Sequence, residues 1–211
     1  MKPTKQRRAP TERPQEILDA ALALFVEKGF AATRLDDVAR HAGLSKAAIY
    51  LYFDDKTALF QGVVRQAVVS NLGTVEAMLA QHRGPVAALI PRILEFMATR
   101  IEETPLAAVA KLVIAESRAF PEIGRFYLKE VIGRGFPLME SLIARGIAQG
   151  EFREVDPAMT VRSIIGAMLL GGIWRTVFEP IGAEKLDIRA TARHHADLML
   201  HALQPIPKAS S

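Results

Sequence analysis

The segment GLSKAAIYLYFDDK, residues 43–56, gathers Lys46, Tyr50, Tyr52 and Lys56, two ammonium groups and two phenol hydroxyls. These groups carry positive charge and donate hydrogen bonds, which is the chemistry of holding an anion such as a phosphate. Little elsewhere suits catalysis. The chain has no cysteine, and its five histidines show neither a triad nor metal-ligand spacing. Lys46 is also poorly placed for stability alone. It falls in the first turn of a helix opened by Ser45, where the backbone dipole favours Asp or Glu, so a cation there points to an anionic partner.

A helix of about eight residues does not hold itself together in water, so this segment must dock on neighbours. Ile49 and Phe53 form its docking face. Upstream, Ile17, Ala21, Leu24 and Phe25 recur at helical spacing over 13–29, and Gly29 is placed to end that helix. Thr33 and Asp36 resemble a capping box for a second short helix, whose buried stripe is Leu35, Val38, Ala39 and Ala42. Gly43 permits a sharp turn, Leu44 fills the angle, and Ser45 caps the third helix. Two helices joined at HAGLS and preceded by another make a helix-turn-helix pattern.

The rest of the chain must position this unit. Half of the 211 residues are apolar and 24% are charged, the profile of a folded globular protein. Residues 1–14 hold five basic side chains against Glu12, a net +4 that equals the charge of the whole chain. Such an arm attracts nucleic acid or an acidic membrane, and it equally suits a solvated tail. No apolar signal-peptide core follows it. The apolar run IIGAMLLGGIW at 164–174 falls short of the ~20 residues that span a bilayer. A cytoplasmic protein without a membrane partner is expected.

Helical spacing recurs throughout, without a convincing strand. Helices are predicted near 55–81, 85–103, 105–119, 121–149, 157–179 and 184–203, several opened by a proline in the first turn. Pro91 and the cluster Gly133, Gly135 and Pro137 argue for kinks. The expected fold is all-α with about nine helices. It divides into a disordered arm (1–12), a helix-turn-helix domain (13–60), a larger helical domain (61–204) and a tail (205–211).

The stretch FAATRLDDVARHAGLSKAAIYLYFDDKTALF, residues 30–60, resembles the DNA-binding signature of TetR (tetracycline-repressor-like) transcriptional regulators. The matching residues are Gly29-Phe30, Thr33, Asp37-Val38-Ala39, Ala42 to Lys46, Ile49-Tyr50, Tyr52-Phe53, Asp55-Lys56 and Leu59-Phe60. The resemblance implies a homodimer that sets one recognition helix, here 45–52, into each of two major grooves of double-stranded DNA. By that analogy Ser45, Lys46, Ala47, Ala48 and Tyr50 approach base edges or nearby phosphates. Thr33, Tyr50, Tyr52 and Lys56 look like backbone clamps, and Arg34 suits either a phosphate or a groove contact. The helix offers no Arg, Asn or Gln, the usual bidentate base readers. Ala47 and Ala48 are therefore expected to read thymine methyls, and Lys46 is the long side chain able to reach guanine.

Residues 114–157 resemble, more loosely, the AefR-like branch of C-terminal domains in that family. The family implies a repressor released by a small-molecule effector and needing no cofactor or metal. Two charged residues fall on apolar stripes: Arg100 follows Ile93 and Met97, and Glu116 joins Val109, Val113 and Phe120. They form interhelical ion pairs or reach solvent, or they orient a polar group in a mostly apolar pocket. Phe96, Met97, Phe126, Met139, Met168, Trp174 and Phe178 are its candidate lining. Helix 157–179 is apolar nearly all round from Ser163 to Trp174, so it must be covered on every side. In the resembling family the last two helices build a four-helix dimer interface, which here places Ile165, Leu169, Gly172, Ile188, Ala192, His195 and Met199 in it. Two rivals remain: an architectural DNA binder without effector, and an all-α enzyme or ligand carrier.

Overall fold

A computed structural model describes residues 13–205, so the basic arm and all but the first residue of the expected tail lie outside the described part. Among the described residues there are nine helices and no strand, as the periodicity predicts. They are α1 (Arg13–Ala32), α2 (Leu35–His41), α3 (Lys46–Tyr50), α4 (56–81), α5 (86–103), α6 (Leu106–Glu116), α7 (121–148), α8 (Pro157–Ile181) and α9 (Ile188–Leu203). Pro91 falls at the start of the α-helical part of α5, just after a 3-10 turn at Val86–Ala88, and does not break the helix. In α7 the irregularity takes the form of a π-helical turn at Leu128–Ile132, immediately before Gly133 and Pro137.

The chain packs as two compact units. Among the described residues, one contains those up to Gln66 together with Leu112–Phe126; the other contains Ala67–Lys111 and those from Tyr127 onward. The first unit therefore runs past the predicted boundary at 60 and takes in a second segment from the middle of the sequence.

In the first unit α1 buries Ile17, Ala21, Leu24 and Phe25, the predicted stripe. Gly29, at φ 80°, interrupts α1 and turns the chain toward α2. Gly43, at φ 67°, closes α2: its N–H bonds to Arg40 O at 3.2 Å and the N–H of Leu44 bonds to Ala39 O at 2.8 Å. That pair of bonds is a Schellman motif, which needs the left-handed residue that glycine supplies most cheaply. Ser45 then caps α3, its hydroxyl accepting from the Ala48 N–H at 3.2 Å, and Asp55 caps α4 by accepting from the Ala58 N–H at 2.7 Å. Helix α3 has only five residues, and its docking rests on Ile49, which is fully buried. The predicted capping box is replaced by another arrangement. Arg34 occupies the cap of α2 without a side-chain bond, while the Thr33 hydroxyl turns inward to donate to Leu24 O (3.2 Å) and Gly29 O (2.8 Å).

In the second unit α5, α7, α8 and α9 enclose a core that includes Ile93, Leu94, Leu142, Ile164, Met168 and Ile188. Both Glu151 carboxylate oxygens accept from the first N–H groups of α5, at Val86 (3.0 Å) and Ala87 (2.8 Å). Arg153 serves the opposite end of a helix: its Nε donates to Ala202 O, near the end of α9, at 2.7 Å. Both placements complement the helix dipoles.

The structure corrects part of the expected dimer interface. Gly172, Ile188 and Ala192 are buried inside their own unit. A Cβ on Gly172 would meet that of Ala107 at 3.1 Å, so this glycine admits a neighbouring helix of the same chain. Ile165, His195 and Met199 are half-buried, and Leu169 is exposed. Helix α8 is the one described helix long and apolar enough to cross a bilayer by length and composition. Its Val161, Ile164 and Met168 are nevertheless fully buried in the core.

Replacing Ile49 by Ala is expected to lower the unfolding free energy by about 2–5 kcal/mol, measured as a fall in the urea midpoint at unchanged slope. A shift below roughly 0.5 kcal/mol, within the range of ordinary surface substitutions, would show that α3 docks by other contacts.

Candidate nucleic-acid interface

Because Ile49 points into the core, α3 turns its remaining side chains outward. Ser45, Lys46 and Ala47 are exposed, and Ala48 is half-buried beside Ile49. At the other end of the helix Tyr50 is 47% exposed and Tyr52 39% exposed. Five of these six residues are thus exposed, and Arg34, at the start of α2, is exposed as well. Ser45 uses its oxygen as an acceptor for the cap, which leaves its hydroxyl hydrogen free to donate outward.

Lys46 does not extend freely. Its Nζ lies 2.9 Å from Asp36 Oδ1 and 3.2 Å from Asp36 Oδ2, and this hydrogen bond and charge raise the ammonium above the ordinary lysine pKa. The pair joins the first turn of α2 to the first turn of α3. Leu51 is a further feature absent from the predicted set. It is 78% exposed between the two tyrosines, an apolar side chain on a polar surface. Its signal in the sequence is that it falls off the Ile49–Phe53 spacing.

Two predicted clamps are committed elsewhere. Thr33 is 2% exposed with its hydroxyl engaged internally, so its side chain does not reach a partner. Lys56 donates to Phe30 O at 2.7 Å and Ala31 O at 3.0 Å, and lies 4.4 Å from the centre of the Phe30 ring. Burial lowers its pKa from the ordinary lysine value, opposed by the charge of Glu116. Lys56 thus caps the carbonyls at the end of α1, a role that charge-assisted hydrogen bonding makes strong.

The candidate effector residues are divided between the two units. Glu116 and Phe126 belong to the first unit, the other seven to the second. The Glu116 carboxylate accepts from the Phe30 N–H at 2.9 Å, and Phe126 lies 5.0 Å from the Arg65 guanidinium. Met139 and Met168 are core residues at 5% and 0% exposure, while Phe96 and Met97 are partly buried against that core. Trp174 and Phe178 pack with centroids 5.4 Å apart and ring planes tilted by 53°, and Trp174 Nε1 donates to Glu184 O at 2.9 Å. Arg100 is half-buried with a buried Nε that has no hydrogen-bond partner. A groove of about 570 Å³ does open in the second unit, but Met78, Pro91, Glu95, Arg193 and Leu200 are among its lining and none of the predicted residues is. Among the described residues no three His, Asp or Glu side chains gather as metal ligands.

Residues 17–63 match the model of bacterial regulatory proteins of the tetR family, and residues 88–204 match that of the AefR-like transcriptional repressor C-terminal domain. The chain is 26% identical over 192 residues to the HTH-type transcriptional regulator YfiR of Bacillus subtilis, covering 91% of this chain and 92% of the relative. Its fold is similar to that of FadR from Bacillus subtilis in complex with stearoyl-CoA, with a TM-score of 0.73, 18% identity, and 90% and 99% of the two chains covered. It is also similar to a transcriptional regulator from Saccharomonospora viridis in complex with choline, with a TM-score of 0.74, 21% identity, and 93% and 100% covered.

Lys56→Met is expected to cost about 1.5–3 kcal/mol of stability, the range for hydrogen bonds to a charged group, as measured by denaturant unfolding. The variant should leave the salt dependence of DNA binding unchanged. A fall in that salt slope by about one per subunit would instead make Lys56 a phosphate contact.

Proposed function

The chain belongs to the tetR family of bacterial regulatory proteins and carries the AefR-like repressor C-terminal domain; from that premise we propose that it is a repressor that binds a palindromic operator as a homodimer and is released by a small-molecule effector. The family is one of transcriptional regulators, not enzymes. The observation that carries the reading is the outward face of α3, where Ser45, Lys46, Ala47, Tyr50, Leu51 and Tyr52 are exposed together on a helix too short to stand alone. In this reading the hydroxyls of Ser45, Tyr50 and Tyr52 and the guanidinium of Arg34 contact phosphates. Ala47, Ala48 and Lys46 approach base edges.

The homodimer forms through the outward sides of α8 and α9. Leu169 and Leu170 on α8 are 42% and 60% exposed, and Leu198 on α9 is 52% exposed. Large apolar side chains left open on two adjoining helices suit a protein contact, with Ile165, His195 and Met199 half-buried beside them. Two-fold symmetry in the protein then calls for two-fold symmetry in the operator.

The effector is a mainly apolar small molecule bound in the second unit and acting in the cytoplasm. Phe96, Met97, Trp174 and Phe178 are the candidates to line its site, and Arg100 is the candidate to hold a polar group. Similar proteins in complex with stearoyl-CoA and with choline support small-molecule binding on this fold without identifying the ligand. Release requires the effector to favour a DNA-incompetent arrangement by differential affinity.

Selection from a random duplex pool with the purified protein is expected to recover an inverted repeat whose half-sites lie about 10 base pairs, or a multiple, from centre to centre. Recovery of no repeated sequence would contradict the regulator reading. Leu198→Glu is expected to shift the dimer to monomer in sedimentation velocity and to weaken operator binding by about tenfold or more. A variant that stays dimeric would place the interface elsewhere.

A further inference from the structure

Beside the outward face of α3 stands an exposed acid, Asp36, that reaches from its own helix to Lys46 of the next. Asp36 is 52% exposed in the first turn of α2, and its carboxylate grasps the Lys46 ammonium with both oxygens, at 2.9 and 3.2 Å. The neighbouring Asp37 also complements the α2 dipole, but it is directed to Arg40 of the same helix at 3.3 Å. Asp36 instead reaches across to α3. The α2 dipole accounts for an acid at this position, but not for its reach to Lys46 on a surface that must approach phosphates.

We propose that Lys46 and Asp36 act as one reading unit for a single G·C pair in each half-site, Lys46 donating to guanine and Asp36 accepting from the paired cytosine. The proposal rests on the DNA-binding reading above. In the major groove a G·C pair presents the guanine N7 and O6 acceptors beside the cytosine N4 amino donor. The ion pair presents the complement, a donor beside an acceptor. An ammonium has three N–H groups and a carboxylate about four lone-pair sites, so each keeps capacity after bonding the other. The side chains are 56% and 52% exposed, which leaves both heads accessible. Each also holds the other in place, so less side-chain freedom is lost on binding. The pair is electrically neutral and therefore contributes to sequence choice rather than to general attraction for phosphate. This supplies what α3 lacks by itself, since its other short outward side chains, Ala47 and Ala48, offer methyl groups alone.

The test uses the full chain, a duplex chosen by selection, and single base-pair variants of it. It compares the wild type with Asp36→Ala, Lys46→Ala and the double variant, after thermal unfolding has shown that each folds. The wild type is expected to lose about tenfold or more in affinity when one particular G·C pair per half-site becomes A·T. Asp36→Ala and Lys46→Ala should each abolish the discrimination at that same position and at no other, and the double variant should lose no more than either single one. If Asp36→Ala raises affinity equally for every duplex, Asp36 merely repels phosphate and the proposal is overturned. It is overturned likewise if the two variants relax different positions. A wild type that binds no duplex in a salt-dependent way would defeat the regulator reading itself, a result distinct from either.

Discussion

The backbone of Phe30 is held from both sides by charge, and the orientation of the DNA-facing helices depends on it. Its N–H donates to the Glu116 carboxylate at 2.9 Å, and its carbonyl accepts from the Lys56 ammonium at 2.7 Å. Its ring packs against Phe25, Phe60 and Phe120 with centroids 5.5, 5.6 and 4.9 Å away. Gly29 makes this corner possible, because its φ of 80° turns the chain just before Phe30. The consequence is geometric. Helices α2 and α3 follow directly from this corner, and neither is long enough to hold an orientation by its own hydrogen bonds. Fixing one peptide by charge-assisted bonds and one ring by three aromatic contacts supplies the rigidity that a groove-reading helix needs.

The same corner explains a division of labour among the basic groups. Lys56 is spent on the architecture, and Lys46 is shared with Asp36, so phenol and serine hydroxyls carry much of the outward donor capacity. In the proposed reading such a surface would grip a phosphate backbone adaptably but name few bases directly. DNA shape and deformability then supply part of the sequence preference. The open leucines of α8 and α9 serve a different end. In the proposed homodimer they would bring two such surfaces together, and two half-sites distinguish an operator where one would not.

Much of this was legible in the chain. Ser45 and Asp55 announce their helices because an N-cap is a local signal, read within three residues. Gly43 announces the turn for the same reason. The stripe of Ile17, Ala21, Leu24 and Phe25 showed a buried face because periodicity is local as well. What stayed hidden depends on distance. Glu116 lies 86 residues from its partner Phe30, and no spacing rule connects them. Its place on an apolar stripe suggested an ion pair or a ligand site, whereas the carboxylate accepts from a backbone N–H. Thr33 looked like a cap because Asp36 follows it by three, but its hydroxyl found closer acceptors in α1 and Asp36 found Lys46. Ile188 and Ala192 show a further limit. An apolar stripe tells that a face is covered, not whether the cover is the same chain or a second copy.

The central claim is that the surface around α3 is a DNA-binding surface, and the salt dependence of association tests it most directly. The measurement is the slope of log K against log salt for the wild type on a selected duplex. One Arg34 guanidinium on a phosphate in each of two half-sites predicts a slope on the order of −2, since neutral hydroxyl contacts release no counterions. A slope near zero, or no association at low salt, would contradict it.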